Sequence, residues 1–234
     1  FRMPGEDRSF VLGYARDLTE VKRTEHLKTS IVDNALAAII AALVPVRGIP
    51  GQTRDRQLDL TDELAATLGA PGEFWDVING YTESDAPRLR RLHDALATHG
   101  RDALLGTLKI GLQHDVGVDF QARFEETQTP TRVSQAFCSA LSCAYSTQPL
   151  ALWEPLARLV LDAAYEATLL AALVGAEPDA EHSAGPAKVW LTQLGGGAFG
   201  NPPEWIADAM GRALARCEGQ AMDVRVAHRG QVDA

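Results

Sequence analysis

Residues 188 to 205 read Lys-Val-Trp-Leu-Thr-Gln-Leu-Gly-Gly-Gly-Ala-Phe-Gly-Asn-Pro-Pro-Glu-Trp, so an apolar run enters a glycine loop and leaves through a helix-start signal. Val189 to Leu194 has the pattern of a short buried strand, and Gly195 to Gly200 can adopt backbone angles closed to other residues. Asn201-Pro202-Pro203-Glu204 then predicts an N-cap, prolines in a first helical turn and an acid at the third helical position. An anion at this junction would meet backbone N–H groups and the positive end of a helix dipole. The predicted element is a phosphate cradle between a strand and a helix.

The surrounding pattern predicts what carries that cradle. Apolar residues recur at helical spacing from Arg16 to Leu43 and from Leu58 to Leu68, and Thr61-Asp62-Glu63 and Ser84-Asp85-Ala86-Pro87 are helix starts. Residues 1–104 therefore read as a helical N-terminal lobe, with breakers at Gly69-Ala70-Pro71-Gly72 and Gly80. From Leu108 the alternation of Leu108, Ile110 and Leu112 predicts a strand opening into a loop at His114-Asp115, and residues 131–138 predict another strand. Ala151 to Val174 reads as one long helix whose polar residues Glu154, Arg158, Asp162 and Glu166 step by four, a charged stripe facing solvent. A helix from Pro202 to Cys217 and a strand from Met222 to Ala227 close the chain. Strand, strand, helix, strand, helix, strand over residues 105–234 predicts an α/β layer.

Charge and size narrow the partners. The 234 residues carry a formal net charge of -9, which excludes a general nucleic-acid binder, because phosphate backbones require a basic footprint. The longest apolar run, Ala35 to Val46, is too short to span a bilayer, so no membrane partner is predicted. Cys138, Cys143 and Cys217 show neither CxxC spacing nor an even count, which predicts a reducing compartment: the cytoplasm, or a host cytosol for a delivered effector. The six histidines are scattered, and neither a metal nor another cofactor is predicted.

Gly195, Gly197 and Gly200 satisfy G-x-G-x-x-G, the dinucleotide fingerprint, but only 34 residues follow Gly200, whereas that fingerprint opens a longer series of βα units. Asp223, near the spacing of a ribose-binding acid, falls at the start of its strand. A Walker loop is excluded, since no Gly-Lys-Ser or Gly-Lys-Thr exists.

Leu-Thr-Gln-Leu-Gly-Gly-Gly-Ala-Phe-Gly-Asn, followed by a helix and a last strand, resembles the second diphosphate loop of macrodomains, especially the poly(ADP-ribose) glycohydrolase-like branch. Val133-Ser134-Gln135-Ala136-Phe137-Cys138-Ser139-Ala140-Leu141, with Ala144-Tyr145-Ser146 and Trp153 to Arg158, resembles the MavL-type branch of macrodomain-like ADP-ribosylhydrolases. Together the two stretches cover residues 106–230. The resemblance implies a macrodomain-like mixed sheet flanked by helices, and ADP-ribose or an ADP-ribosylated protein as partner. It implies a hydrolase that removes ADP-ribose from protein side chains, arginine-linked by preference. The chain lacks Asn-Ala-Ala-Asn and Gly-Gly-Gly-Gln-Glu-Glu, so no catalytic role is transferred from those motifs, and Ser142-Cys143 stands where the closer branch has Pro-Val.

Cleavage at the anomeric carbon passes through an oxocarbenium-like state that a nearby carboxylate and a positioned water assist. The acidic cluster that fits is Gln113-His114-Asp115 with Asp119, Glu125 and Glu126. Asp115 is the first choice for holding ribose hydroxyls or activating water, and Asp119 and Glu126 are the seconds. Each is equally at home in a solvated loop. His114 reads as a proton shuttle or a surface hydrogen-bonding residue, and Gln135 as a strand polar or a ligand contact. Gly195, Gly196, Gly197, Ala198, Phe199, Gly200 and Asn201 are the expected diphosphate contacts, with Phe199 either a core plug or a surface for the distal ribose. A triad of Cys138 or Ser139 with His114 or His228 lacks the G-x-S-x-G elbow. A non-catalytic ADP-ribose reader and a Rossmann-like NAD oxidoreductase are the alternatives to the hydrolase.

Overall fold

A computed structural model describes residues 59–78, 80–117, 132–175 and 186–227. The elements in chain order are α1 (Asp62–Leu68), β1 (Asp76–Ile78), β2 (Tyr81–Glu83), α2 (Ala86–Ala97), α3 (Arg101–Leu105), β3 (Gly111–Gly117) and β4 (Arg132–Phe137). A 3-10 turn (Cys143–Tyr145), α4 (Leu150–Gly175), β5 (Ala187–Leu191), α5 (Pro203–Arg216) and β6 (Met222–Val226) follow. The protein is mixed α/β. The chain divides into two compact units: Gly111–Phe137 falls in one, and Asp59–Ile110 with Cys138–Ala234 in the other.

The larger unit is built on α4, an apolar 26-residue rod. Trp153, Leu156, Ala157, Leu159, Leu161, Tyr165 and Leu169 are all at most 2% exposed. Burying each leucine contributes about 1.5–3 kcal/mol of transfer free energy. Around this rod pack Leu89 and Leu92 of α2, Leu104 and Leu105 of α3, Val189 and Leu191 of β5, and Trp205, Ile206 and Ala209 of α5. α2 starts at Asp85, whose carboxylate accepts the Arg88 N–H at 2.8 Å, and His93 Nε2 on α2 meets the Leu152 carbonyl at 2.8 Å.

β5 and β6 run parallel, pairing Ala187 with Met222 through Leu191 with Val226, and α5 forms the crossover between them. Alternation along β5 buries Ala187, Val189 and Leu191 and exposes Lys188 and Trp190. The expected order of strands and helices over residues 105–234 is the observed one. The described strands nevertheless pair as three separate two-stranded sheets, β1–β2, β3–β4 and β5–β6.

Two expectations are corrected. The helical lobe of residues 1–104 contains, in its described part, the antiparallel hairpin β1–β2 beside the helices. Its signal in the sequence is Asn-Gly between two short β-prone runs, and Gly80 turns the chain at φ +82° instead of breaking a helix. Second, the charged stripe of α4 does not face solvent along its length. Asp162 is 4% exposed and Glu166 8% exposed. α5 lies over them: Arg212 donates to Asp162 Oδ1 at 2.7 Å and 3.0 Å, Arg101 pairs with Asp162 Oδ2, and Arg216 pairs with Glu166 at 2.9 Å. Long arginine stems cover apolar surface while delivering charge, which lets α5 dock on an acidic face. Farther toward the start of α4, Arg158 holds Glu154 and Asp208 in the half-exposed setting expected and lies 5.3 Å from the Trp205 ring centroid.

Removing the buried acceptor should cost far more than removing an exposed one. Asp162→Ala is expected to lower the free energy of unfolding by about 2 kcal/mol, because two arginines lose a desolvated partner. Asp208→Ala should cost about 0.5 kcal/mol, the value of a solvated pair. Urea denaturation measures both, and equal costs would refute the clamp.

Burial holds the Glu166 carboxyl above the usual carboxylate range, and Arg216 only partly offsets it. The folded state therefore binds this proton more tightly than the unfolded state, so stability falls as pH rises from the ordinary glutamate value through the raised one. Glu166→Gln should flatten that fall in a pH series of denaturation midpoints.

Candidate functional site

The glycine loop leaves the carboxyl end of β5, where α/β units hold their ligands, and leads into α5. Its first residues are fixed from α4. The Tyr165 hydroxyl, from a residue 1% exposed, donates to the Thr192 carbonyl at 2.7 Å and accepts the Leu194 N–H at 3.0 Å. Burial pushes the Tyr165 hydroxyl up to about 12, so it stays protonated and keeps donating. Nothing in the alternating apolar pattern marked Tyr165 for this role.

The far end of the loop is closed by Asn201. Its backbone N–H donates to the Gly195 carbonyl at 2.9 Å, and its side-chain Nδ2 donates to the Leu141 carbonyl at 2.8 Å and to the Gly195 carbonyl at 3.4 Å. At 2% exposure this side chain is a staple inside the loop, not the expected helix cap. The N-cap is Pro202, with Pro203 in the first helical position and Glu204 in the second. The Asn-Pro-Pro signal was read one residue early because an asparagine before prolines serves equally as a turn closer.

Two glycines are required by the packing. Gly195 has φ +69°, and a Cβ there would lie 2.5 Å from both the Ala140 Cβ and the Asn201 Nδ2. Gly200 also has φ +69°, and its Cβ would come within 2.7 Å of the Ala144 Cβ. The loop thus lies against the segment from Ala140 to Tyr145, and the Ala144 N–H donates to the Phe199 carbonyl at 2.9 Å. Gly196 is tighter than its exposure suggests, since a Cβ would stand 3.1 Å from Ile206 Cδ1, whereas Gly197 faces open space.

Between these fixed points the tip is free. Gly196, Gly197 and Ala198 are exposed and Phe199 is half-buried. Among the described residues, the N–H groups of Gly197, Ala198 and Phe199 donate to no acceptor, while those of Gly196, Gly200 and Asn201 are spent inside the loop. Consecutive unpaired amides in a turn ahead of a helix are the raw material of an anion-binding nest. The Phe199 ring meets Tyr145 at 5.6 Å and Tyr81 at 6.4 Å between centroids, both edge to face. The core-plug reading of Phe199 therefore gives way to a half-exposed aromatic cluster.

The acidic cluster falls in the other unit. Within the antiparallel hairpin β3–β4, Gln113 pairs with Gln135 and Val116 with Val133. His114 and Asp115 together oppose Ser134, which is a β-bulge. They lie inside β3, which continues to Gly117, and not in a loop after it as expected. Bulges re-aim side chains and recur beside active sites. Gln135 is exposed on β4. Asp119, Glu125, Glu126 and His228 lie outside the described residues.

Neither nucleophile candidate of the triad reading shows activation among the described residues. Burial raises the Cys138 thiol, the reverse of activation, and Ser139 Oγ donates to the neighbouring Ala140 carbonyl at 3.0 Å. Asp223 is engaged by Arg225 at 2.8 Å and stands beside Lys188, at the amino end of the parallel pair, away from the glycine loop. Among the described residues no group of three or more His, Cys, Asp and Glu side chains is placed to hold a metal ion, and no helix is long and apolar enough to cross a membrane. No protein-family model, curated protein or solved structure matches this chain.

Alanine at Gly195 or Gly200 should each lower the unfolding free energy by more than about 1 kcal/mol, through left-handed backbone strain and contact with Ala140 or Ala144. Gly197→Ala should stay within about 0.5 kcal/mol of the parent. Thermal denaturation of the three variants distinguishes the built ends of the loop from its open tip.

Proposed function

We propose that the protein binds ADP-ribose, with the diphosphate on the loop from Gly195 to Asn201, and hydrolyses the bond joining ADP-ribose to a protein side chain. The observation that carries this reading is the run of three unpaired amides, Gly197 to Phe199, at the carboxyl end of a parallel strand pair and ahead of the 14-residue helix α5. In a protein of net charge -9, uncharged backbone donors with a helix dipole supply stabilisation for a diphosphate without a basic side chain. The finer fold, a macrodomain-like mixed sheet flanked by helices, belongs to the same proposal and rests on the resemblance of residues 106–230.

In this reading the diphosphate anchors the nucleotide and so orients the distal ribose, converting binding into positional advantage. Water adds to the anomeric carbon as the bond to the side-chain nitrogen breaks. A carboxylate takes the proton from the water and returns it to the departing nitrogen, so that the side chain leaves as a guanidinium. Asp115, on the bulge of β3, is the proposed carboxylate, with Asp119 and Glu126 as further candidates and His114 and Gln135 as ligand contacts. Arginine-linked ADP-ribose is the proposed substrate.

Ala198→Glu places a carboxylate at the open tip without disturbing the loop's packed ends. It should weaken ADP-ribose binding at least about tenfold in calorimetric titration, corresponding to about 1.4 kcal/mol. Unchanged affinity would overturn the cradle. Asp115→Asn should reduce release from arginine-linked ADP-ribosyl protein by about 100-fold or more while leaving the dissociation constant within about twofold. A parent protein that binds and releases nothing from either arginine-linked or acid-linked substrate is a reader, and one that prefers NAD to ADP-ribose is a dinucleotide protein.

A further inference from the structure

At the lip of the glycine loop three aromatic rings from separate segments converge. Tyr81 comes from β2, Tyr145 from the 3-10 turn and Phe199 from the loop itself. Tyr81 and Tyr145 stand 5.5 Å apart between centroids at 63°, and both meet Phe199 edge to face. Folding has left these rings in water: Tyr81 is 43% exposed and Tyr145 is 56% exposed. The two cation–π contacts found among the described residues, Arg158 on Trp205 and Arg225 on Trp190, lie elsewhere. Neither tyrosine hydroxyl has a hydrogen-bond partner among the described residues.

One carboxylate stands next to the rings on β2. Glu83 lies two residues beyond Tyr81 on β2, and the alternation of that strand exposes both. Successive same-face positions are separated by about 6.6 Å, within the reach of one long side chain. Glu83 makes no ion pair among the described residues, whereas Asp76 across the hairpin is satisfied by Arg88 at 2.7 Å. Exposed tyrosine rings beside an unspent carboxylate favour a cation. A guanidinium suits such a surface better than an ammonium, because it is planar, weakly hydrated and stacks on rings.

We propose that Tyr81, Tyr145 and Phe199 form an aromatic rim that docks an arginine side chain of a partner protein, with Glu83 as its counter-charge. The rim goes beyond the nucleotide reading: it seats the protein part of the partner at the lip of the loop, and its test needs no nucleotide. Tyr81 is then a specificity-determining residue for the partner and not a catalytic one.

The experiment is a titration of the full chain, carrying ¹³C-labelled tyrosine rings, with the peptide Gly-Arg-Gly and separately with Gly-Glu-Gly, read by ring chemical shifts. Saturable shifts of the Tyr81 and Tyr145 rings with the arginine peptide alone are expected. Tyr81→Leu should weaken that binding about two- to fivefold, the range of an exposed cation–π contact, while Tyr81→Phe stays within about twofold. Glu83→Gln, which leaves the rings in place, should weaken it and reduce its salt dependence. No shift with the arginine peptide, or equal shifts with both peptides, would overturn the proposal. ADP-ribose titration of the same samples keeps the two claims apart: ring shifts without nucleotide binding uphold the rim and refute the cradle, and nucleotide binding without ring shifts does the reverse.

Discussion

The docking of α5 on α4 through a buried carboxylate is the constraint on which the larger unit depends. Asp162 is almost fully enclosed and is reached by Arg212 from α5 and Arg101 from α3. A buried ion is expensive unless its partners are well placed, so the pair tolerates few alternative packings of α5. Since α5 begins directly after the glycine loop, its placement on α4 also fixes where that loop must end. Tyr165, one turn along the same helix from Asp162, fixes where the loop begins. One helix thus positions both ends of a loop that its own hydrogen bonds then close.

This arrangement divides the loop by role. Gly195, Gly200 and Asn201 are committed to closure, through backbone geometry and the close approach of Ala140 and Ala144. Gly197 and Phe199 contribute only their carbonyls, to the Gly200 and Ala144 N–H groups, and Ala198 makes no hydrogen bond among the described residues. A tight turn and a ligand loop are often treated as rival explanations of a glycine-rich segment. Here the rigid turn is what holds three amides in place without internal acceptors, so that an anion would meet donors already ordered and little further entropy would be lost on binding.

Much of the fold was legible because its strongest signals are local. The period of α4, the Ser84-Asp85-Ala86-Pro87 start of α2 and the strand, loop and helix around Gly195 to Gly200 each depend on residues adjacent in sequence. The illegible parts depend on distance. Asp162 and Glu166 read as a wet stripe because a helix presenting acids every fourth residue has the same pattern whether water or another helix's arginines face it. Asn201 read as a cap because the alternative acceptor, the Leu141 carbonyl, lies 60 residues away in the chain. The convergence of Tyr81, Tyr145 and Phe199 left no periodic trace at all. The β1–β2 hairpin, by contrast, had a local signal that the helical context of its neighbours concealed.

The candidate chemistry is distributed in the same way. The loop supplies donors but no acid of its own, and the acid nearest to it in sequence, Glu204, sits exposed in the first turn of α5, where it stabilises the helix end. The carboxylate proposed for hydrolysis, Asp115, comes from elsewhere in the chain, on the bulge of β3. A bulge costs ladder hydrogen bonds within its own hairpin, and that cost brings no benefit to a hairpin whose purpose is pairing alone. Each unit thus carries one departure from regular geometry, a glycine loop with unspent donors in one and a bulged strand in the other.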